Sequence, residues 1–391
     1  MRPDDELRSW PGLVERDGES HLRVTRGLVL SRRQAGFALV VLAATFAIPD
    51  ITTLAPSLQL TVLHQGLLFG LAAIGLNLLL RHTKLVSFGH AAFFGTGAYT
   101  AAVLATHYDV QSMTVLLVAA LVAAGLMAAV IGYLSLRHTG LYFSLLTLAF
   151  GQLLYALVQG QSFFGSSDGL PVRPGPENRP LVFGLALEPE VYSVVMFYVT
   201  IVVLVASLVV MWRLVNSPFG AALDAIGEDR QRARFIGIPV RRYVWAAFVV
   251  SGLYGGVAGA LYGMVRQHVR PEPTLHFLSS GDILFMAILG GYETLVGPLV
   301  GGTVLVFLQD VGRDVTAYFD LLTGVVLLLI VFGFPSGIVG SLQHGGRLRV
   351  AGRQLRADPT VVGDWLAAAG RAILTGVGVW LRNLGSVVGV R

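Results

Sequence analysis

The sequence predicts an all-α, polytopic transmembrane helical bundle with about ten spans. Three observations predict this fold class. Only 13% of the residues are charged and 54% are hydrophobic, with a mean hydropathy of +0.69, whereas soluble domains are about a quarter charged. Apolar runs of roughly 20 residues, long enough to cross a bilayer, recur between short polar connectors. Basic residues are concentrated in alternate connectors, as is usual for membrane proteins.

Ten apolar runs are candidate spans, in the following order. They are residues 36–55, 58–80, 85–105, 114–136, 141–160, 191–213, 243–264, 277–290, 297–310 and 319–334. The eighth and ninth runs are short and flank the turn GGYETLVGP, residues 290–298, so partial or tilted helices are an alternative there. The residues before the first run do not have the order of a signal peptide, so we expect that run to remain as a helix.

The placement of arginine and lysine predicts the orientation. With the amino terminus in the cytoplasm, 23 of the 28 basic residues fall on the cytoplasmic side, as the positive-inside rule requires. We therefore expect a multi-pass protein of the cell inner (plasma) membrane with both termini cytoplasmic. The predicted parts are a cytoplasmic amino-terminal segment (1–34), a transmembrane domain (35–340) and a cytoplasmic tail (341–391). Within the transmembrane domain we expect an external loop at 161–190 and a cytoplasmic loop at 214–242.

The tail after residue 340 contains apolar residues at helical spacing. These residues are Trp365, Leu366, Ala369, Ile373, Val377, Trp380, Leu381 and Leu384. Together with two arginines they favour an interfacial amphipathic helix on the membrane surface. Contact with a partner and a lack of regular structure remain alternatives, because three glycines weaken any helix here.

The cytoplasmic loop has an unusual concentration of charge for this chain. Ser217 is a good helix N-cap and Pro218 suits the first helical position. The apolar residues Phe219, Ala222, Leu223 and Ile226 follow on one face at helical spacing, and Glu228 and Arg232 are spaced for an i, i+4 pair. The loop is therefore expected to form one or two short amphipathic helices outside the bilayer.

Two interpretations of this loop stay open. A solvated connector that obeys the positive-inside rule is one. The other is a docking element, because a capped helix with an apolar face and no attached span needs a surface to cover it. If the apolar face docks on a partner, an acid at Ile226 should weaken that contact and leave the fold intact.

Several chemistries are excluded. The chain has no cysteine, which excludes disulfides and thiolate metal sites. Its one lysine, Lys84, follows Thr83 and so belongs to no phosphate-binding loop. No metalloprotease motif of the form HExxH occurs either. We expect no catalytic site, no metal and no cofactor, and no nucleic-acid partner. The chain instead contacts membrane lipid, and any ATP is bound by partner subunits.

Polar residues within apolar spans are candidates for lining a transport path. Asn77, Ser87 and His90 are such residues, and Gly95 and Gly97 beside them allow close backbone approach or a broken helix. Hydrogen bonding between helices is the alternative. The run SGLYGGVAGALYG, residues 251–263, repeats small residues four apart, which predicts tight helix packing.

Five segments in order resemble a known family. They are GLNLLLRHTKLVSFGHAAFFGTGAYTA (75–101), TGLYFSLLTLAFGQLLY (139–155), FGSSDGLP (164–171), the loop 217–239, and ILFMAILGGYETLVGPLVGG (283–302). Together they resemble the "M" type membrane permease subunit of branched-chain amino acid ABC importers, over roughly residues 36–340. The chain departs from the family at RHTK, residues 81–84, where GYTG is usual, and at Tyr292 and Glu293, where small residues are usual.

The resemblance implies a multi-subunit importer. A homologous permease would pair with this chain, ATP-binding subunits would dock on the cytoplasmic face, and an external solute-binding protein would deliver substrate. The loop would be the coupling element that fits an ATPase groove. Its expected contact residues are Ser217, Phe219, Leu223, Ile226, Glu228, Arg232 and Gly237.

Two alternatives carry different functions. Permeases for urea or short amides belong to the same family and look similar. A self-contained secondary transporter would need no ATPase, but such proteins often carry an intramembrane acid, and none lies in the middle of a full-length span here. A non-transporting scaffold is a further alternative that the proline-rich external loop would fit.

Overall fold

The computed structural model describes the strand residues 12–16, 19–25 and 28–31, together with residues 60–172, 180–182, 184–315, 321, 323–325, 327–328 and 337–343. Within these ranges five helices are long and apolar enough to cross a membrane, and two shorter apolar helices accompany them. The predicted helical membrane bundle is confirmed. The first predicted span and most of the tenth lie outside the described residues, as does the tail beyond Gln343, so the number of ten spans stays a prediction.

Twelve labelled helices follow one another in the described part of the chain. They are α1 (Leu60–Leu78), α2 (His90–His107), α3 (Met113–Ser135), α4 (Leu141–Gly160), α5 (Pro189–Val215), α6 (Pro218–Glu228), α7 (Arg230–Phe235), α8 (Val240–Arg266), α9 (Pro271–Leu275), α10 (Phe277–Gly290), α11 (Gly297–Val315) and α12 (Gly337–Gln343). Helix α1 continues as a π-helix over Leu79–Thr83. Helix α2 begins at His90 rather than at the predicted residue 85, because residues 84–89 are not helical.

Helix α8 is the inner helix that organises the bundle. It packs against α1, α2 and α3, and α1 packs in turn against α11. The glycines of the small-residue repeat make these approaches close: a Cβ at Gly256 would collide with Ala124 of α3, and one at Gly259 with the carbonyl oxygen of Phe94 in α2. The predicted role of this repeat in helix packing is confirmed.

Two small sheets accompany the helices. Strands β1 (Gly12–Arg16), β2 (Glu19–Thr25) and β3 (Leu28–Ser31) form an antiparallel sheet in the amino-terminal segment. The register pairs Arg16 with Glu19, and Asp17-Gly18 between them is a strong two-residue hairpin signal. Hydropathy alone did not reveal this sheet. Strands β4 (Leu170–Pro171) and β5 (His268–Val269) pair antiparallel in the second.

The connectors gather at two separate ends of the bundle. At one end the π-helix, α6 and the turn after α10 meet around a shared cavity. At the other end His107 binds the carbonyl of Phe163, His268 binds that of Asp168, and β4 pairs with β5. The segment RHTK, helix α6 and the turn after α10, all predicted to be cytoplasmic, therefore share one end. The described part of the predicted external loop shares the other end with the connector after α8.

Candidate functional site

The loop between α5 and α8 forms two short helices, and local capping explains both. The Ser217 hydroxyl accepts a hydrogen bond from the Phe219 N–H at 3.2 Å, and Pro218 occupies the first position of α6. Asp229 then ends α6 and starts α7, because its carboxylate accepts from the N–H groups of Gln231 and Arg232 at 2.9 and 3.1 Å. The predicted cap at Ser217 and the alternative of two helices are both present.

The break at Asp229 changes the predicted ion pair. Arg232 Nε donates to Asp229 Oδ2 at 2.8 Å, so the expected i, i+4 pair with Glu228 is wrong. The two residues belong to different helices, and helical spacing does not apply across the break. The backbone hydrogen bond from Arg232, its side-chain hydrogen bond and the backbone hydrogen bond from Gln231 hold the pKa of Asp229 below its usual value.

The apolar face of α6 is covered by the chain itself. Leu223 and Ile226 are 0% and 1% exposed, and the Phe219 ring stacks on Tyr243 at 5.5 Å between centroids. The expectation that this face is the free surface for an ATPase is therefore corrected. Helical periodicity correctly indicated that this face is covered. The surface that covers it is the helical bundle of the same chain, not a partner.

Helix α6 is held against the end of α1 at close range. A Cβ at Gly227 would collide with the carbonyl oxygen of His82. His82 Nδ1 lies 2.5 Å from Asp224 Oδ1, and Arg230 Nη2 donates to the carbonyl of Thr83 at 3.4 Å. A displacement of the loop helices is thereby tied to the end of a membrane helix.

The second loop helix presents an apolar tip to solvent. Phe235 and Ile236, at its carboxyl end, are 80% and 73% exposed. Gly237 follows with a φ of +87°, and its N–H donates to Arg234 O while the Ile238 N–H donates to Ala233 O. This is a Schellman C-cap, which requires a left-handed residue at this position. The sequence signal for this exposed tip is a pair of apolar residues and a glycine that directly follow a run of charged residues. The apolar face of α6 is a stronger periodic signal in the same loop.

Two cavities lie next to the π-helix. One of about 490 Å³ is lined by charged and polar groups, among them Arg81, Lys84, Asp224 and Glu293. The other, of about 220 Å³, lies between α1 and α5 and includes Asn77 in its wall. Asn77 donates through Nδ2 to Thr294 O at 3.1 Å, while its buried Oδ1 has no hydrogen-bond partner. A water or a solute donor in this cavity would satisfy that oxygen.

Two other candidate path residues lie inside the helix packing. His90 and Ser87 are fully buried. The Ser251 hydroxyl donates to Gly75 O at 2.6 Å, so it accepts from His90 Nε2, also at 2.6 Å, in a link that joins α1, α2 and α8. The other ring nitrogen of His90, Nδ1, is buried and has no hydrogen-bond partner.

The two glycines of α2 lie at close helix contacts. A Cβ at Gly95 would collide with Leu275 of α9, and one at Gly97 with the carbonyl oxygen of Gly256 in α8. Close packing therefore explains why a glycine stands at both positions. A role in lining a transport path stays a prediction for Gly95, Gly97 and His90. Among the residues that the structure describes, no group of three or more His, Asp or Glu is placed to hold a metal ion.

Comparison with known proteins gives consistent matches. The family described as "Branched-chain amino acid transport system / permease component" matches residues 58–331. The high-affinity branched-chain amino acid transport system permease protein LivM of Escherichia coli K12 is 29% identical over 294 residues, 70% of this chain and 68% of LivM. The corresponding protein BraD of Pseudomonas aeruginosa is 26% identical, over 71% of this chain and 93% of BraD.

A second E. coli permease protein also matches. LivH of E. coli K12 is 29% identical over 126 residues, which is 32% of this chain and 40% of LivH. No solved structure matches the chain. These relatives are named as transport permeases rather than as enzymes. Since the family pattern covers most of the bundle, from the start of α1 past α11, the chain belongs to the branched-chain amino acid transport system permease family.

Proposed function

We propose that the chain is a permease subunit of an ABC importer that carries branched-chain amino acids or a similar small organic solute. The names of its relatives support the solute class. Two permease proteins of one E. coli strain, LivM and LivH, both resemble this chain, which supports pairing with a homologous permease. An external solute-binding protein and ATP-binding subunits would complete the importer, since the chain has no phosphate-binding loop of its own.

The observation that carries the coupling role is the contrast between the two ends of the α6–α7 unit. One end is locked to α1 through Asp224 and Gly227, and the other exposes Phe235 and Ile236. Buried anchors dominate interfaces, whereas charges at the rim contribute less. We assign ATPase docking to this apolar tip, with Arg232 and Arg234 at its rim, in place of Phe219, Leu223 and Ile226.

The expected effect on transport follows from the anchoring. When ATPase subunits close, the tip moves with them, and the rigid α6–α7 unit displaces the end of α1. That movement changes the two cavities beside the π-helix, which we propose as the cytoplasmic part of the path with Asn77 as its polar group.

A docking experiment tests this role. Ile236→Asp should greatly reduce copurification of the ATPase subunits and abolish uptake, because it places an unpaired charge in the interface. Leu185→Asp is the matched control, since Leu185 is 64% exposed at the opposite end of the bundle. Normal ATPase retention by Ile236→Asp would exclude the tip as the docking element.

The orientation has its own test, because the docking proposal requires the loop to be cytoplasmic. In this cysteine-free chain, Ser166→Cys and Ser341→Cys supply single labels at predicted external and cytoplasmic positions. An impermeant thiol reagent applied to intact cells should label Ser166→Cys alone. Labelling of both positions from outside would overturn the assigned topology.

A further inference from the structure

A cavity of about 630 Å³ lies between the end of α3 and the start of α8. Its walls are formed by Tyr133 of α3, by the α7–α8 connection and by the first turns of α8. The lining residues are Tyr133, Arg234, Ile238, Pro239, Val240, Arg241, Arg242 and Trp245. None of these is acidic, so the cavity combines three guanidinium groups with an apolar floor. The transport function proposed above does not use it.

The arginines around the cavity have no counter-charge among the residues that the structure describes. Among the described residues, Arg137, Arg234, Arg241 and Arg242 take part in no ion pair. Arg241 lies over the Tyr133 ring at 5.1 Å from its centroid, and Arg137 lies at 5.6 Å from the same ring. Arg241 Nη2 also donates to Tyr133 O at 3.3 Å. These contacts hold two positive charges beside one ring, and an anion would complete the site.

The aromatic residues place the cavity at the depth of lipid headgroups. Trp245 Nε1 donates to the carbonyl of Ala129 at 3.0 Å, which fixes its ring across α3 and α8. Tryptophan and tyrosine are enriched at this depth because one end of each ring system is apolar and the other is polar. Arg241 and Arg242 lie in the first turn of a helix long enough to span the membrane.

An exposed apolar stripe leads from the membrane interior to the cavity. Its residues recur at spacings of three and four along one face of α3 and are all more than half exposed. They are Val115, Val118, Val122, Leu126, Val130 and Tyr133. Because Tyr133 belongs both to the stripe and to the cavity wall, the apolar track ends where the arginines begin. An amphipathic ligand with an anionic head fits this arrangement.

We propose that this cavity binds the phosphate headgroup of an anionic phospholipid while an acyl chain lies along the α3 stripe. Arg241 and Arg242 contact the phosphate, and Tyr133 and Trp245 pack against the glycerol region. A protein partner with an acidic surface is disfavoured, because the site is continuous with the lipid-facing stripe and lies at the start of a span. The docking tip at Phe235 and Ile236 adjoins the cavity at Arg234 but is more exposed, and neither Phe235 nor Ile236 lines the cavity.

The test measures lipid retained on the purified full-length chain by native mass spectrometry. Phosphatidylglycerol and phosphatidylcholine are supplied in equal amounts, and the wild type should retain phosphatidylglycerol preferentially. Arg241→Gln should lower that retention about fivefold, the effect expected of one arginine near a lipid surface. Arg232→Gln is the matched control, because Arg232 is exposed in the same loop, does not line the cavity and pairs with Asp229. Arg241→Lys keeps the charge and should keep most of the retention.

Four outcomes would overturn the proposal. Equal retention of both lipids would show that the anionic headgroup is not recognised. An equal loss from Arg241→Gln and Arg232→Gln would show only a general effect of the positive charge of the loop. Complete displacement by excess inorganic phosphate would assign the cavity to a free anion, because the acyl chain would then contribute nothing. Loss of the lipid when the ATPase subunits join the complex would assign the surface to a protein partner. An unchanged melting temperature for Arg241→Gln confirms that its loss of lipid is not a loss of fold.

Discussion

His82 Nδ1 lies 2.5 Å from Asp224 Oδ1, so a side-chain contact joins the end of the first described membrane helix to a helix of the loop between α5 and α8. His82 is buried while Asp224 is more than half exposed. This contact connects residues 142 positions apart, whereas the Arg232–Asp229 pair is local to α7. The contact is well placed to transmit a movement of the loop to α1.

Asp224→Ala tests that transmission. The substitution leaves His82 without its partner and should lower the free energy of unfolding by only about 1 kcal/mol, because Asp224 is largely exposed. Uptake by the complete importer should fall severalfold at unchanged ATPase content. Glu228→Ala is the control, since Glu228 is an exposed acid on the same helix that forms no ion pair among the described residues. Equal effects of the two variants on uptake would remove the His82–Asp224 contact from the mechanism.

Ile226→Asp should destabilise the isolated chain, whereas Ile236→Asp should not. Ile226 is almost fully buried, and an unpaired carboxylate there should cost several kcal/mol of folding free energy. Ile236 lies on the exposed tip, so its substitution should leave the melting temperature of the purified chain unchanged. The measurement is thermal unfolding in detergent without the ATPase subunits. If Ile226→Asp melted like the wild type, the α6 face would be accessible after all and would again be a docking candidate.

The sequence predicted the helices well and their partners less well. Hydropathy located α1 and α8 to within a few residues, and the glycine repeat identified the packing face of α8, because both signals are local. Periodicity also identified Leu223 and Ile226 as a face to be covered, but it carries no information about which surface covers it. The His82–Asp224 contact depends on the whole topology, so no local pattern revealed it. The predicted ion pair between Glu228 and Arg232 is wrong because Asp229 is more favourable as a helix N-cap than in the middle of a helix, so it divides the predicted helix in two.

Gly259→Ala should disrupt the crossing of α2 and α8. A Cβ at this position would collide with the carbonyl oxygen of Phe94, a backbone atom that can move only if the whole helix shifts. We expect a loss of about 1–3 kcal/mol, as for other overpacked sites, and a lower yield of inserted protein. Gly160→Ala is the matched control, because a Cβ on Gly160 meets nothing within 4 Å. The measurement is the melting temperature of both variants, and equal values would contradict the close packing at Gly259.

Lys84→Gly should stabilise the turn that ends the π-helix. Lys84 has a left-handed backbone, with φ 54° and ψ 29°, and its N–H donates to Leu79 O. A non-glycine residue in this conformation costs about 1–2 kcal/mol, and the family resemblance places a glycine at this position. Part of this stabilisation is offset because glycine has more conformational freedom in the unfolded chain. The free energy of unfolding should therefore rise by up to about 1 kcal/mol. Lys84→Ala removes the same charge but keeps the strained backbone, and its melting temperature should not rise. A similar rise in both variants would attribute the effect to the lost charge, and no rise with glycine would show that the left-handed turn carries little strain.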